Sequence, residues 1–106
     1  MPIIHLNDVE VKELLSGFNA QLIHTAQMTL GYFDIKVGSI LPEHSHVHEQ
    51  VSNILEGQFE MVIDGNAEVL TKGMVAVIPS MVRHGGRALT DCKILDVFCP
   101  PREDYK

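Results

Sequence analysis

Residues 43–57 read EHSHVHEQVSNILEG, and the reading of this stretch decides how the rest of the chain is understood. His44, His46 and His48 fall on alternate positions, Gln50 continues the series, and Val47 and Glu49 fall between them. Alternate side chains of extended backbone share a face. The segment therefore predicts a strand with three imidazoles and an amide on one side. Such a face suits a divalent cation better than an apolar core, because imidazole nitrogens ligate Zn, Ni, Fe, Mn or Cu from about 2 Å. Alternate residues of a straight strand lie roughly 7 Å apart, too far for one ion to collect them all. The strand is thus expected to curve, with some of the four orienting the site; His48 is read in that orienting role.

Outward from this stretch the chain is a series of short apolar segments broken by glycine turns. Strands are expected over Gln21–Ala26, Met28–Val37, Gln50–Leu55, Gln58–Ile63, Glu68–Leu70, Met74–Ile78 and Lys93–Phe98. Gly57, Asp64-Gly65-Asn66 and Lys72-Gly73 punctuate them, and Asp-Gly between apolar runs signals a hairpin because both residues tolerate positive φ. Only Val9–Leu15 suggests a helical turn or two, capped by Asn7 or Asp8. Strands at this spacing predict an all-β sandwich or closed antiparallel barrel. Pro100-Pro101 breaks the tail away from the last strand, since proline donates nothing to a ladder.

The 106 residues predict one domain, 1–106. The net charge of -6 speaks against phosphate backbones and anionic lipid as partners, so neither nucleic acid nor membrane is expected. No apolar run approaches the roughly 20 residues that span a bilayer, and MPIIHLNDVEV shows no basic-then-apolar secretory pattern. Cys92 and Cys99 do not form a CxxC pair and are read as reduced, small buried hydrophobes. A cytoplasmic location is the expectation. His84, after an apolar strand and a proline-led turn, is a further candidate for the histidine face, while His5 and His24 stand alone as surface or locally bonded residues.

Gly38, then His44-Ser45-His46, Gln50 and Gly57 follow the spacing of a first cupin motif, and Gly73, Pro79 and His84 follow a looser second one. The chain resembles the cupins over residues 38 to 88. The departures are Gln50 for the usual glutamate, Met81 for a glycine and Ala88 for an asparagine. The resemblance implies a small jelly-roll β-barrel with a divalent transition metal in its mouth, held by His44, His46, Gln50 and His84. Zn or Ni is the expectation, with Mn or Fe left open. Three neutral imidazoles and a neutral amide leave such an ion its full charge of +2, which suits binding and polarising an anion.

In the last strand, KILDVFC, Asp96 and Phe98 share a face opposite Leu95 and Val97. If the latter pair packs outward, Asp96 looks into the barrel, where a charge costs several kcal/mol unless solvated, paired or used. Arg102 follows the double proline and can fold over the mouth, offering its planar fork to a carboxylate. HSHxHEQ with a closing DVFxPxREDY is similar to the KdgF-type pectin-degradation cupins, from about Met28 to Tyr105. That resemblance implies metal-dependent ring opening and ketonisation of 4,5-unsaturated monouronates, with Asp96, Phe98 and Arg102 as catalytic residues. Asp96 would serve as acid or base, Phe98 would pack on the sugar and Arg102 would pair with its carboxylate. Arg83 and Arg87 are runner-up anion contacts. A metal-dependent small-molecule dioxygenase and a non-catalytic sugar-acid-binding cupin are the alternatives. The expected partners are a small anionic sugar acid and a second copy of the chain, with Ile3-Ile4 as a strand to exchange in a homodimer.

Overall fold

A computed structural model describes residues 2–106. Ten strands form two antiparallel sheets that face each other across the core. They are β1 (Val11–Leu15), β2 (Phe18–His24), β3 (Thr29–Ile35), β4 (Ile40–His44) and β5 (Glu49–Glu56). The second half supplies β6 (Phe59–Ile63), β7 (Asn66–Leu70), β8 (Val75–Ile78), β9 (His84–Ala88) and β10 (Cys92–Cys99). The larger sheet runs β1-β2-β3-β10-β5-β8 and the smaller β4-β9-β6-β7. The all-β jelly-roll expected from the sequence is the fold observed. Among the described residues no helix is long and apolar enough to cross a membrane.

Register on the inner face of the larger sheet sorts its side chains into rows. His24, Thr29, Phe98, Gln50 and Ile78 pair across β2, β3, β10, β5 and β8 to form the row at the mouth. The next row is Leu22, Gly31, Asp96, Ser52 and Ala76. Below it lie Ala20, Phe33, Ile94 and Ile54, which are buried. Phe59 and Met61 of the smaller sheet are buried in the same core cluster. Polarity therefore falls from mouth to floor over three rows, two steps of about 7 Å.

Three local expectations are corrected. Val9–Leu15 is not helical: Val11–Leu15 is β1, paired with β2 through the turn at Ser16-Gly17. The HSHVH segment is not one strand. His44 ends β4 in the smaller sheet, His46 and His48 lie in the connection, and Gln50 stands near the start of β5 in the larger sheet. The chain crosses between sheets here, which gives the bend a single ion requires. Cys92 is buried and free, but Cys99 is exposed.

The strands β4 and β9 were not expected from pattern. Their close approach rests on Gly85, where a Cβ would lie 2.8 Å from the Leu41 carbonyl oxygen, and on Gly86, where it would lie 2.2 Å from the Glu60 carbonyl oxygen. The Gly85-Gly86 pair is thus a packing device that seats β9 between β4 and β6 and delivers His84 beside His44.

Candidate metal centre

His44, His46 and His84 converge, with a ligand nitrogen of each lying within 4.8 Å of the others. His44 and His84 are directly paired across β4 and β9, and their rings stand 4.3 Å apart. Each imidazole is oriented by a carbonyl two residues away: Nδ1 of His44 meets Pro42 O at 2.8 Å, that of His46 meets His48 O at 3.0 Å, and that of His84 meets Val82 O at 2.9 Å. A carbonyl only accepts, so all three Nδ1 atoms carry the hydrogen, which leaves Nε2 of each ring as the nitrogen free to ligate.

The amide of Gln50 completes the set. Its Nε2 donates to Ser52 Oγ at 3.0 Å, which turns Oε1 to within 3.1 Å of His46 Nε2 and 3.2 Å of His84 Nε2. Acceptors facing one another at that range repel unless a cation lies among them. Protons do not take that place near neutral pH. Burial holds His84 down at about 4. Burial, reinforced by the charge of Arg102, lowers His46 as well. The donor chemistry therefore fits a transition metal, with His44, His46, His84 and Gln50 as the residues that would hold it. His48 stays outside the cluster. Its carbonyl orients His46, while its own Nδ1 is shut off from solvent with no hydrogen-bond partner among the described residues.

A cavity of about 340 Å³ adjoins the centre, and its lining includes His44, Gln50, Asp96, Phe98, Arg102 and Tyr105. Asp96 faces inward, with Leu95 and Val97 on the opposite side of β10. Its Oδ1 is closed to solvent and has no hydrogen-bond partner among the described residues. Burial pushes the carboxyl up to about 6, against the downward pull of Ser52, Gln50 and Arg102. A surface pair of Asp96 with Arg102 is thereby excluded.

Arg102 is buried, and its backbone N–H donates to Thr29 Oγ1 at 2.9 Å, pinning the tail across the start of β3. Its fork is already engaged: Nε and Nη2 donate to the two carboxylate oxygens of Asp104 at 3.0 and 2.8 Å. That pairing holds Asp104 below the usual carboxylate range. The guanidinium also lies 3.9 Å from the Tyr105 ring centre and 4.8 Å from that of Phe98. The sequence reading gave Arg102 an open fork, whereas only the Nη1 side is left for a ligand. Arg83 and Arg87 lie outside the cavity, paired with Glu43 and Glu60 respectively. His24 bonds Thr29 Oγ1 at 2.8 Å, a local contact as expected.

Sequence reasoning missed two residues. Ser52, which turns the Gln50 amide, shares the parity of Gln50 on β5 and was open to discovery by alternation. Tyr105, which forms a wall of the cavity, follows a double proline and lies in a 3₁₀ turn, where alternation carries no information.

Residues 31–98 match the cupin domain family, and the chain belongs to it. Within that family it is 33% identical over 70 residues to the pectin degradation protein KdgF of Dickeya dadantii. The match covers 64% of each chain, so it spans just under two thirds of that relative's length. An RmlC-like cupin from Shewanella frigidimarina superposes with a TM-score of 0.90 at 30% identity, covering 94% of this chain and 91% of that one. KdgF from Halomonas sp. superposes with a TM-score of 0.93 over 100% of this chain and 99% of that one; at 24% identity it speaks for the fold.

Proposed function

We propose that the chain is a metal-dependent enzyme that opens the ring of 4,5-unsaturated monouronates, released from pectin or alginate, and converts them to the linear keto form. One observation carries the reading: an all-neutral donor set of three imidazoles and an amide shares a cavity with an inward-facing carboxyl. The likeness to a pectin degradation protein supports it. A divalent ion held by these donors keeps its full charge of +2 and would stabilise oxygen anions as a Lewis acid.

The chain's own residues then have distinct tasks. In the substrate, the ring oxygen and the carboxylate sit on the same carbon, so ring opening leaves an enolate oxygen beside a carboxylate. Asp96 gives a proton to the neighbouring carbon and recovers one from the sugar hydroxyl, so the reaction is an isomerisation with no net proton consumed. Phe98 packs on the sugar carbons. The Nη1 side of Arg102 orients the carboxylate. Tyr105 and Arg102 close the tail over the mouth and limit water.

The test follows the conjugated ultraviolet absorbance of freshly generated 4,5-unsaturated galacturonate, with the spontaneous conversion as baseline. Metal-loaded protein is expected to speed its loss in the absence of oxygen, and chelated protein and metal-loaded Asp96→Ala are expected to fall to the baseline. No acceleration by protein with its metal confirmed bound overturns the proposal.

A further inference from the structure

The lining of the cavity beside the metal centre changes character along its length. On the larger sheet it begins in the mouth row with Gln50 and Phe98 and passes to Ser52 and Asp96 in the row below. It continues past Phe33 and Ile94 to Ile35 and Phe18, one row further still. Four rows are three steps of about 7 Å, so the lining reaches roughly 20 Å into the barrel. Every polar side chain in it belongs to the first two rows, to His44 at the end of β4 or to the tail. On the smaller sheet the change comes sooner, because Leu41 and Met61, which flank Gly86 across the strands, follow directly on His44.

A uronate has no use for the inner part. Its carboxylate and ring oxygen are served at the mouth, but its remaining hydroxyls would lose water against Phe33, Ile94 and Met61 and find nothing to bond, which is unfavourable for each of them. Left empty, the same space deprives its walls of contact. An apolar cavity of about 150 Å³ already admits benzene, and this one measures about 340 Å³ in all. Phe18, Phe33 and Phe59, all buried, are among its walls, and such walls suit a ring or a branched chain.

We infer that the inner half of the cavity is an apolar subsite and that it fits the site for a second class of substrate, the enols of 2-oxo acids that carry an aryl or branched alkyl group on the third carbon. The head of such a molecule repeats the reacting atoms of the opened uronate: a carboxylate, an enol oxygen on the adjoining carbon and a double bond to the next. Only the remainder differs. An apolar group replaces the polyol chain, and this is the part that lies against Phe33, Ile94 and Phe59. The reaction is a tautomerisation. The enol O–H bond breaks as its oxygen becomes a carbonyl, and the electron pair of the C=C bond forms a C–H bond at the third carbon. Asp96 takes up the one proton and delivers the other, and nothing is oxidised or reduced. The head-group chemistry rests on the uronate reading, whereas the subsite stands on the lining of the cavity itself.

The experiment compares two 2-oxo acids with the same head, pyruvate and phenylpyruvate, by isothermal titration calorimetry on the metal-loaded full chain. Phenylpyruvate is expected to bind at least ~10-fold more tightly, the effect of burying one phenyl ring. Leu14→Trp, which fills the cavity from the half-buried wall of β1, is expected to lower that affinity at least ~10-fold; should it not fold, the wild-type comparison decides. Benzene, which has no head to hold, is expected to raise the unfolding midpoint of the metal-free chain. The enol absorbance of freshly dissolved phenylpyruvate is expected to decay faster with metal-loaded protein than in buffer. The inference stands if phenylpyruvate is bound more tightly and ketonised faster while unsaturated galacturonate is left alone. It is overturned, even where galacturonate is turned over, by equal affinities for the two acids, by a midpoint that benzene leaves unmoved, or by phenylpyruvate that binds without faster ketonisation.

Discussion

The mouth and the floor of the barrel are made by the same strands and follow the same alternation, yet they are opposite in energetic character. On β10, Ile94 faces the floor among Ala20, Phe33 and Ile54, where every neighbour is apolar and burial is favourable. Two residues on, Asp96 occupies the same face with an unpartnered oxygen and a carboxyl that burial raises to about 6. Gln50 and His84, both buried, aim lone pairs at each other. Met81 hydrogen-bonds the His46 carbonyl at 2.8 Å from backbone with φ +68°, a conformation that costs a side-chain-bearing residue about 1 kcal/mol. The floor supplies stability and the mouth consumes part of it, as sites held ready for a ligand commonly do.

If that division is real, changes at the two ends must separate cleanly. Phe59→Ala, on the floor, is expected to lower unfolding free energy by about 3–5 kcal/mol in urea titrations. Metal affinity per folded molecule should stay within about threefold; a larger loss would merge the two ends. His84→Ala does the converse. Competition with a chromophoric chelator should show affinity down at least about 100-fold, since even the partners of ligands are worth ten- to a hundredfold.

Asp96→Asn sharpens the contrast further, because it is expected to remove activity while stabilising the metal-free protein. The folded carboxyl is raised from 3.8 to about 6. Its ionisation therefore costs nothing below about pH 4, costs increasingly as pH rises to 6, and costs a constant amount above that. The asparagine variant should exceed wild type by about 2 to 3 kcal/mol at pH 7.5, with the gap closing as pH falls toward 4; a gap independent of pH would break the assignment to ionisation. The smallest effect is Met81→Gly. Relief of the positive φ, offset by glycine's greater freedom when unfolded, should raise stability by about 0.5 kcal/mol without altering metal affinity. A thermal scan of the metal-free protein reads it.

Much of this was legible in the sequence, and the parts that were not have physical causes. Alternation placed Asp96 and Phe98 on one face of β10, because side-chain parity survives wherever a strand is regular. It failed for His44 to His48, since a turn between sheets can carry the same spacing of two as a strand. It failed for VEVKELL because a short apolar segment fits either period, and the choice was made by the tertiary pairing of β1 with β2. Strands β4 and β9 hid because their register depends on glycines that let backbones touch, a contact between distant segments. Asp104's occupation of the Arg102 fork was hidden too: sequence offers the cation and its possible partners but not which of them comes first.

That last contact bears on time rather than affinity. A carboxylate arriving at Arg102 does not meet an open fork; it meets one already paired with Asp104. It can join only on the Nη1 side, and when it leaves, Asp104 keeps the guanidinium paired. Departure of an anion from this mouth is therefore expected to bare no unpaired cation and to be quick. The latch that steadies the tail also eases the exit of an anion bound beside it.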